Sequence, residues 1–427
     1  MRKQYVFIIL LIALGYMIIT PILILAGAFN GSLNLYIRII ESGLLLLVIL
    51  FSIGNIPRSN SALLPLIGFF LIYFLRLVND VLLEGILMIY QTPLYVMGYF
   101  LGLTLLPVLA IAILYRPSDI CVIHSKTFTF LVFANIALFI FSLATGASQS
   151  ESIFSGRIQE SGDLESSATL GPIWIGMAGS LLASMLIGIY TFERNHSMLR
   201  FCVGSSLLFL CAANILFGAS RGPLLALMLV VLVLLFRPGT RVRKYMPRAS
   251  RTRLWVVVAW TAAIAASLIT ISDGPIFLIE RISSLYTYFF LGGGFEERAL
   301  IYEAAWRDFL SSPFIGSSYV VSYKNSSPHN IVLESLMSTG LIGSSLLVAA
   351  LYKAARSIQH LLLGQKGAEG ASLALVTICS LVVGLTSSSI GQSPSLWIFV
   401  ALTTVMGASN LPSSNRTWFL TEKRLLK

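Results

Sequence analysis

Apolar residues in this chain come in long blocks, with polar and charged residues confined to short stretches between them. Blocks of about 18 to 24 residues match a bilayer crossing by an α-helix. The pattern predicts about twelve membrane helices, near 5–29, 36–54, 62–78, 94–114, 127–145, 168–191, 199–219, 222–236, 254–272, 330–352, 371–389 and 396–409. The first block is too long for a cleaved signal segment and lacks a small-residue cleavage site, so it reads as a retained helix. The longest interval between blocks, 273–329, is neither low in complexity nor rich in Gly and Ser, and reads as folded. Within it Phe295, Ala299, Tyr302, Trp306, Phe309 and Leu310 recur at 3.6-residue spacing, which predicts an amphipathic helix over 295–311 lying along the membrane surface. The Ser-rich stretch 146–167, with Glu151, Glu160, Asp163 and Glu165, reads as a second external loop. No internal repeat is visible, and the halves lack the matched broken helices of many transporters.

Composition agrees with lipid as the solvent. Of 427 residues, 56% are hydrophobic and 11% charged, with a mean hydropathy of +0.86, whereas soluble domains carry about 25% charged residues. The expected fold class is therefore an all-α polytopic membrane protein, with 1–427 a single integral membrane domain and 273–329 an external helical loop. Charge sets the expected orientation. With the N-terminus inside, 21 of the 29 basic residues fall in cytoplasmic segments, seven of them between Arg237 and Arg253, which predicts an even number of crossings with both termini inside. That cluster reads as a stop-transfer loop on anionic lipid, and no nucleic-acid partner is expected.

Several chemistries lack their hardware. There is no Walker A loop, no GxGxxG between strand and helix, no HExxH and no GxSxG. Cys121, Cys202, Cys211 and Cys379 show no CxxC spacing, and His124, His196 and His360 fall in cytoplasmic loops, so neither a disulfide framework nor a metal cage is expected. The first external loop carries no acid. No metal and no cofactor are implied.

Three external positions are candidates because of where they sit on helices. Ser220-Arg221-Gly222-Pro223 opens the eighth expected span with a favoured N-cap and an early proline, and this span presents its N-terminus outward. Free N–H groups, the helix dipole and a guanidinium together suit phosphate. The alternative for Arg221 is snorkelling to lipid head groups. Arg298 falls between Ala305 and Phe309 on the flank of the surface helix, and an Arg turned toward lipid or the bundle needs an anionic partner, which a diphosphate, a carboxylate or a lipid phosphate would supply. Arg281 is a weaker third candidate. His329, in Ser326-Ser327-Pro328-His329-Asn330, is placed in the first turn of the tenth span. A helix N-terminus disfavours imidazolium, so the ring is expected to be neutral and able to accept a proton from a hydroxyl, unless it is an ordinary interfacial histidine. Asn330 and Glu334, four apart, share a face below it, and Glu334 is expected within the bilayer as an orienting group or a packing contact. Two arginines and one neutral base on one face specify transfer of a sugar from a lipid diphosphate, with the arginines stabilising the leaving group and the base activating the attacking hydroxyl.

At these residues the sequence resembles the O-antigen polymerase and O-antigen ligase family of bacterial envelope proteins. The resemblance rests on Ser220-Arg221-Gly222, Glu297-Arg298-Ala299, Ser312-Pro313-Phe314-Ile315-Gly316, His329-Asn330 with Leu333-Glu334, and Gly340-Leu341-Ile342-Gly343, in order between about 199 and 352. It implies a C-type glycosyltransferase-like membrane fold in the bacterial inner membrane with the active site facing the periplasm. It also implies an undecaprenyl-diphosphate-linked glycan donor and catalytic roles for Arg221, Arg298 and His329, while Ser220, Arg281, Asn330 and Glu334 are candidates for support by their positions alone. A polymerase uses a lipid-linked repeat unit as acceptor and works beside a chain-length regulator, whereas a ligase uses the lipid A core. The short external loop and the simple Pro-His-Asn form favour the polymerase. A transporter or flippase of lipid-linked sugars is the alternative of another class. It calls for a polar path at mid-membrane, where only Arg38, Glu41 and Glu334 lie clearly within spans, and Arg38 and Glu41 are spaced as an ion pair.

Overall fold

The structure, a computed structural model, describes residues 2–27, 31–52, 61–87, 92–148, 172–192, 198–218, 221–235, 296–323, 325–363, 366–387, 389–391 and 393–408. These residues form an all-α membrane protein. In chain order the helices are α1 (Arg2–Leu14), α2 (Tyr16–Leu25), α3 (Gly31–Ser52), α4 (Leu64–Leu77), α5 (Pro93–Tyr99), α6 (Leu106–Leu114), α7 (Ile120–Ser148), α8 (Pro172–Phe192), α9 (Met198–Gly218), α10 (Arg221–Leu235), α11 (Glu296–Ser311), α12 (Ile331–Leu362), α13 (Gly367–Ser387) and α14 (Pro394–Ala408). Short π-helical turns extend α4 over Val78–Leu83 and join α5 to α6 over Phe100–Leu105. No strand occurs among the described residues.

Six helices or helix pairs are long and apolar enough to cross a membrane, and α1 with α2 makes a seventh if counted as one span. Cys202–Ile215, Gly222–Leu234 and Pro394–Ala408 are apolar but shorter. The expected span 254–272, the Arg237–Arg253 cluster and nearly all of the Ser-rich stretch lie outside the described residues. A total of twelve spans therefore remains an expectation. The first block differs from the single helix expected, because α1 and α2 meet at 60° across Gly15. Sharp bends favour such residues, and Pro21 inside α2 removes one further ladder hydrogen bond.

Burial orders the helices. In α8 83% of the apolar window is buried, against 33% over Ser61–Leu83, so α8 is central, packed among α7, α9, α10 and α13, while α4 keeps one face outward. Every side chain from Pro394 to Gly407 in α14 is buried. Where lipid is as apolar as leucine, helices associate through close packing and shared hydrogen bonds. A Cβ on Gly188 would stand 2.5 Å from the Ser372 backbone, so α8 and α13 touch there backbone to backbone. Asn214 of α9 donates to the carbonyl and side-chain oxygens of Asn135 on α7, both at 2.9 Å, and Asn135 donates to the Ala178 carbonyl of α8 at 2.9 Å. Arg38 and Glu41 form the ion pair their spacing suggested, at 2.7 Å and both buried.

Length bears on α12. Its 32 residues at 1.5 Å each give about 48 Å, well beyond a hydrocarbon core of about 30 Å. The helix breaks at Gly340, which has φ 61° and ψ −161°. The break divides it into 331–339 and 341–362, and Lys353 and Arg356 lie in the second part. Glu334 lies in the first turn of the helix.

Candidate active site

The region that carries the candidates is assembled from α11, the loop 312–330 and the start of α12. On α11, Ile301, Ala304, Ala305 and Phe309 are buried. The first three pack with Val321 and Met337, and Tyr302, Tyr323 and Leu333 lie against them. Of the stripe the periodicity predicts, Phe309 is buried and Tyr302 half-buried, while Ala299, Trp306 and Leu310 are exposed, and Phe295 lies outside the described residues. Two alanines allow the close approach of α12 and the loop, so the helix docks on them. Trp306 and Leu310 are left outward beside exposed Phe314 and Ile315, a strip suited to the head-group boundary. Arg298 sits near the N-terminus of α11 and is exposed.

The loop and α12 interlock at two glycines. At Gly340 the break leaves backbone groups that a continuous helix would pair, and the loop supplies the partners. Leu341 N–H donates to the Pro313 carbonyl at 2.8 Å, Ile342 N–H to the Phe314 carbonyl at 3.2 Å, and Ser317 N–H to the Met337 carbonyl at 2.8 Å. Gly316 (φ 79°) makes the reciprocal approach, where a Cβ would lie 2.4 Å from the Ser338 carbonyl. Thus Ser312-Pro313-Phe314-Ile315-Gly316 and Gly340-Leu341-Ile342-Gly343 are two halves of one joint.

Arg76, at the end of α4, closes the joint. Its Nε donates to the Ser338 carbonyl at 3.1 Å, Nη1 to the Ser317 carbonyl at 3.0 Å, and Nη2 to the carbonyls of Ile315 at 3.2 Å and Gly316 at 2.7 Å. Asp80, fully buried one turn on, pairs with Nη1 at 3.3 Å and accepts the Tyr319 N–H at 2.8 Å. A planar five-donor fork can serve several carbonyls at once, whereas an ammonium has three donors from a single point.

Glu334 organises the other end of the loop. Fully buried, it accepts the Tyr73 hydroxyl of α4 at 2.7 Å, the Ile390 N–H at 3.0 Å and the Ser327 hydroxyl at 3.4 Å. Ser327 in turn accepts the His329 N–H at 3.2 Å. Asn330 is the N-cap of α12, accepting from Val332 N–H at 3.0 Å and Leu333 N–H at 3.1 Å. His329 therefore stands just before the helix, outside the first turn where the sequence placed it, because Asn330 is the better cap. Its φ of 52° lies in the left-handed region, uncommon for a non-glycine residue.

The His329 ring is exposed, yet the protein around it displaces enough water to lower its pKa from the ordinary 6.5, and the Arg298 charge lowers it further. The ring is thus neutral at pH 7. Among the described residues it has no hydrogen-bond partner, and Arg298 has no ion-pair partner. A free neutral base beside a free cation can accept a proton while an anion is held nearby.

The structure thus brings together His329, Arg298, Asn330 and Glu334. Arg221 is the first residue of α10, but its side chain, like Ser220 and Arg281, lies outside the described residues. Sequence reasoning missed Arg76, Asp80, Tyr73 and Ser327 as the frame of the site. The i,i+4 spacing of Arg76 and Asp80 at the end of an apolar run was the available signal.

Residues 206–348 match a family model described as O-antigen ligase. No curated protein and no solved structure matches the chain. The matched segment contains Arg221, Arg298, His329, Glu334 and both halves of the glycine joint.

Proposed function

We propose, from the match of residues 206–348 to a family model described as O-antigen ligase, that the chain is a bacterial cell-surface polysaccharide polymerase. It transfers glycan from undecaprenyl diphosphate to a sugar hydroxyl of a lipid-linked repeat unit, at the periplasmic face of the inner membrane, with both termini cytoplasmic. The observation that carries this reading is His329 just before α12, its ring without a hydrogen-bond partner among the described residues and its pKa lowered in part by the charge of Arg298 on α11. In the proposed step the acceptor oxygen attacks the anomeric carbon and gives its proton to His329. The bond from that carbon to the diphosphate oxygen breaks, and the electron pair leaves with the diphosphate. Arg298 and Arg221 neutralise the growing charge, Glu334 and Ser327 hold the His329 backbone, and attack opposite the leaving group inverts the anomeric centre. No metal takes part in this step.

The reading has a pH signature. His329 acts only when neutral, and its folded pKa lies below 6.5, so kcat/KM is expected to be flat near pH 7 and to fall as pH drops through that lower pKa. Arg298→Ala removes one cause of the depression, so the acid limb should move to higher pH, while the lost diphosphate contact raises KM for the donor. Rate profiles of purified protein between pH 5 and 8 check both. An acid limb in the same place in the variant would separate Arg298 from His329 and remove the basis of the step.

A second reading, transfer of the same donor glycan to lipid A core, is favoured by the description of the matched family. The two differ in the acceptor, and so in which lipid-linked species builds up when the protein is missing.

A further inference from the structure

An open cleft of about 500 Å³ lies beside the site, between the turn after α4 and the loop 317–325, in the size range of small-ligand clefts. Ile86 and Val320 are among its apolar lining residues, and Asp308, Ser317, Ser322 and Asn325 among its polar ones. Several of the polar groups are uncommitted. The Ser317 hydroxyl, shielded from solvent in the wall of the cleft, has no hydrogen-bond partner among the described residues. Asp308 uses Oδ2 to hold the Ser322 N–H at 2.8 Å. Asn325 is exposed with φ 42°, a left-handed conformation that asparagine tolerates better than most residues.

The cleft shares its frame with the reaction centre. Asp80, which pairs with Arg76, accepts the Tyr319 N–H, and the Tyr319 hydroxyl donates to the Ile86 carbonyl at 3.3 Å. The turn on one wall and the loop on the other are therefore fixed to the same side chains that hold the glycine joint. Three residues lie between Asn325 and His329, so the four chain steps reach at most about 14 Å. A short oligosaccharide bound in the cleft can thus extend to the base.

The chemistry of the lining selects a class. Hydroxyls, an amide and one carboxylate read sugar hydroxyls, and the apolar side chains suit the C–H face of a ring. No cation is among the described lining residues, and Asp308 repels a second carboxylate. We propose that this cleft is the acceptor subsite, binding uncharged sugar residues next to the unit whose hydroxyl is activated at His329. This deepens the transferase reading above and rests on it for the word acceptor.

The test uses the full chain in lipid nanodiscs and, as probe, the oligosaccharide released by mild acid from the polysaccharide of the host, followed by saturation-transfer NMR. Wild-type protein is expected to bind the neutral fragment and to bind it at least about tenfold more weakly after its primary alcohols are oxidised to carboxylates. Ser322→Trp fills the cleft from an exposed position, and Asn325→Gly removes the amide while keeping the positive φ. Each should weaken binding by about tenfold, the scale of one or two lost hydrogen bonds, with an unchanged thermal midpoint. Asp308→Asn should restore part of the affinity for the oxidised fragment. Equal binding by wild type and both cleft variants overturns the assignment, as does tighter binding of the oxidised fragment. If the fragment binds in the cleft but wild-type protein transfers no glycan, the transferase reading fails and the sugar site stands.

Discussion

His329→Ala is expected to lower glycan transfer by about 10² to 10⁴-fold, the usual contribution of a positioned general base, without loss of the folded protein. The ring touches no described side chain through a hydrogen bond, so its removal orphans nothing in the interior. The one structural cost lies in the backbone, because His329 has φ 52° and alanine tolerates that region less well. His329→Asn is therefore the sharper variant: asparagine accepts the same φ, and its amide cannot take up a proton near neutral pH. Product formation by both variants, measured beside their thermal midpoints, checks the role. Turnover within a few-fold of wild type in a folded His329→Asn protein would show that the base lies elsewhere.

The largest structural effect is expected at Gly340→Ala. A φ of 61° with ψ −161° is a conformation open in practice to glycine alone, with a cost of roughly 1 to 3 kcal/mol for other residues. Space adds to strain: a Cβ would stand 2.3 Å from the Phe314 carbonyl carbon and 2.4 Å from its oxygen. Backbone cannot swing aside as a flexible side chain can, so the loop 313–317 must leave α12. It would take with it the hydrogen bonds to Leu341, Ile342 and Ser317 and the carbonyls that Arg76 holds. A thermal midpoint lowered by several degrees is expected, together with a loss of transfer of about 10²-fold or more, since catalytic groups displaced by 1 Å lose that much. Gly98→Ala is the control. It lies inside α5 with open space around its Cβ, where alanine is the better helix former, so its midpoint should hold or rise. A Gly340→Ala protein as stable and active as wild type would show that the joint does not position the site.

Much of the fold was legible in the sequence, because a bilayer leaves a segment few choices beyond a helix. Helices occupy each expected span that the described residues cover. Which face of each helix is buried was not legible. In lipid both the core and the outer surface are apolar, so Phe69, fully buried, and Leu71, half exposed, look alike in hydropathy. On α11 the same ambiguity holds: Trp306 and Leu310 fit an apolar stripe and are exposed, whereas Ala304 and Ala305 make the interior contact because small residues let backbones meet.

The site was legible where it depends on local chemistry, and obscure where it depends on distant chain. A base before a helix N-terminus can be read from Pro328-His329-Asn330 alone. Nothing local to Glu334 announces Tyr73 or Ile390 as its partners, which are 261 and 56 residues away. Nothing local to Arg76 announces that its acceptors are main-chain carbonyls some 240 residues later. The motif Gly340-Leu341-Ile342-Gly343 carried the resemblance, but its purpose, a helix break repaired by a loop, became visible only when Pro313 and Phe314 were placed against it.

The most direct test of the central claim is to delete the gene in its host and analyse the glycans that remain on undecaprenyl diphosphate. The account expects single repeat units to accumulate on the carrier while long surface chains disappear. Long chains that accumulate on the carrier and fail to reach the surface would make the protein the ligase instead. Surface polysaccharide of normal length, with no lipid-linked glycan in excess, would contradict transfer from that carrier altogether.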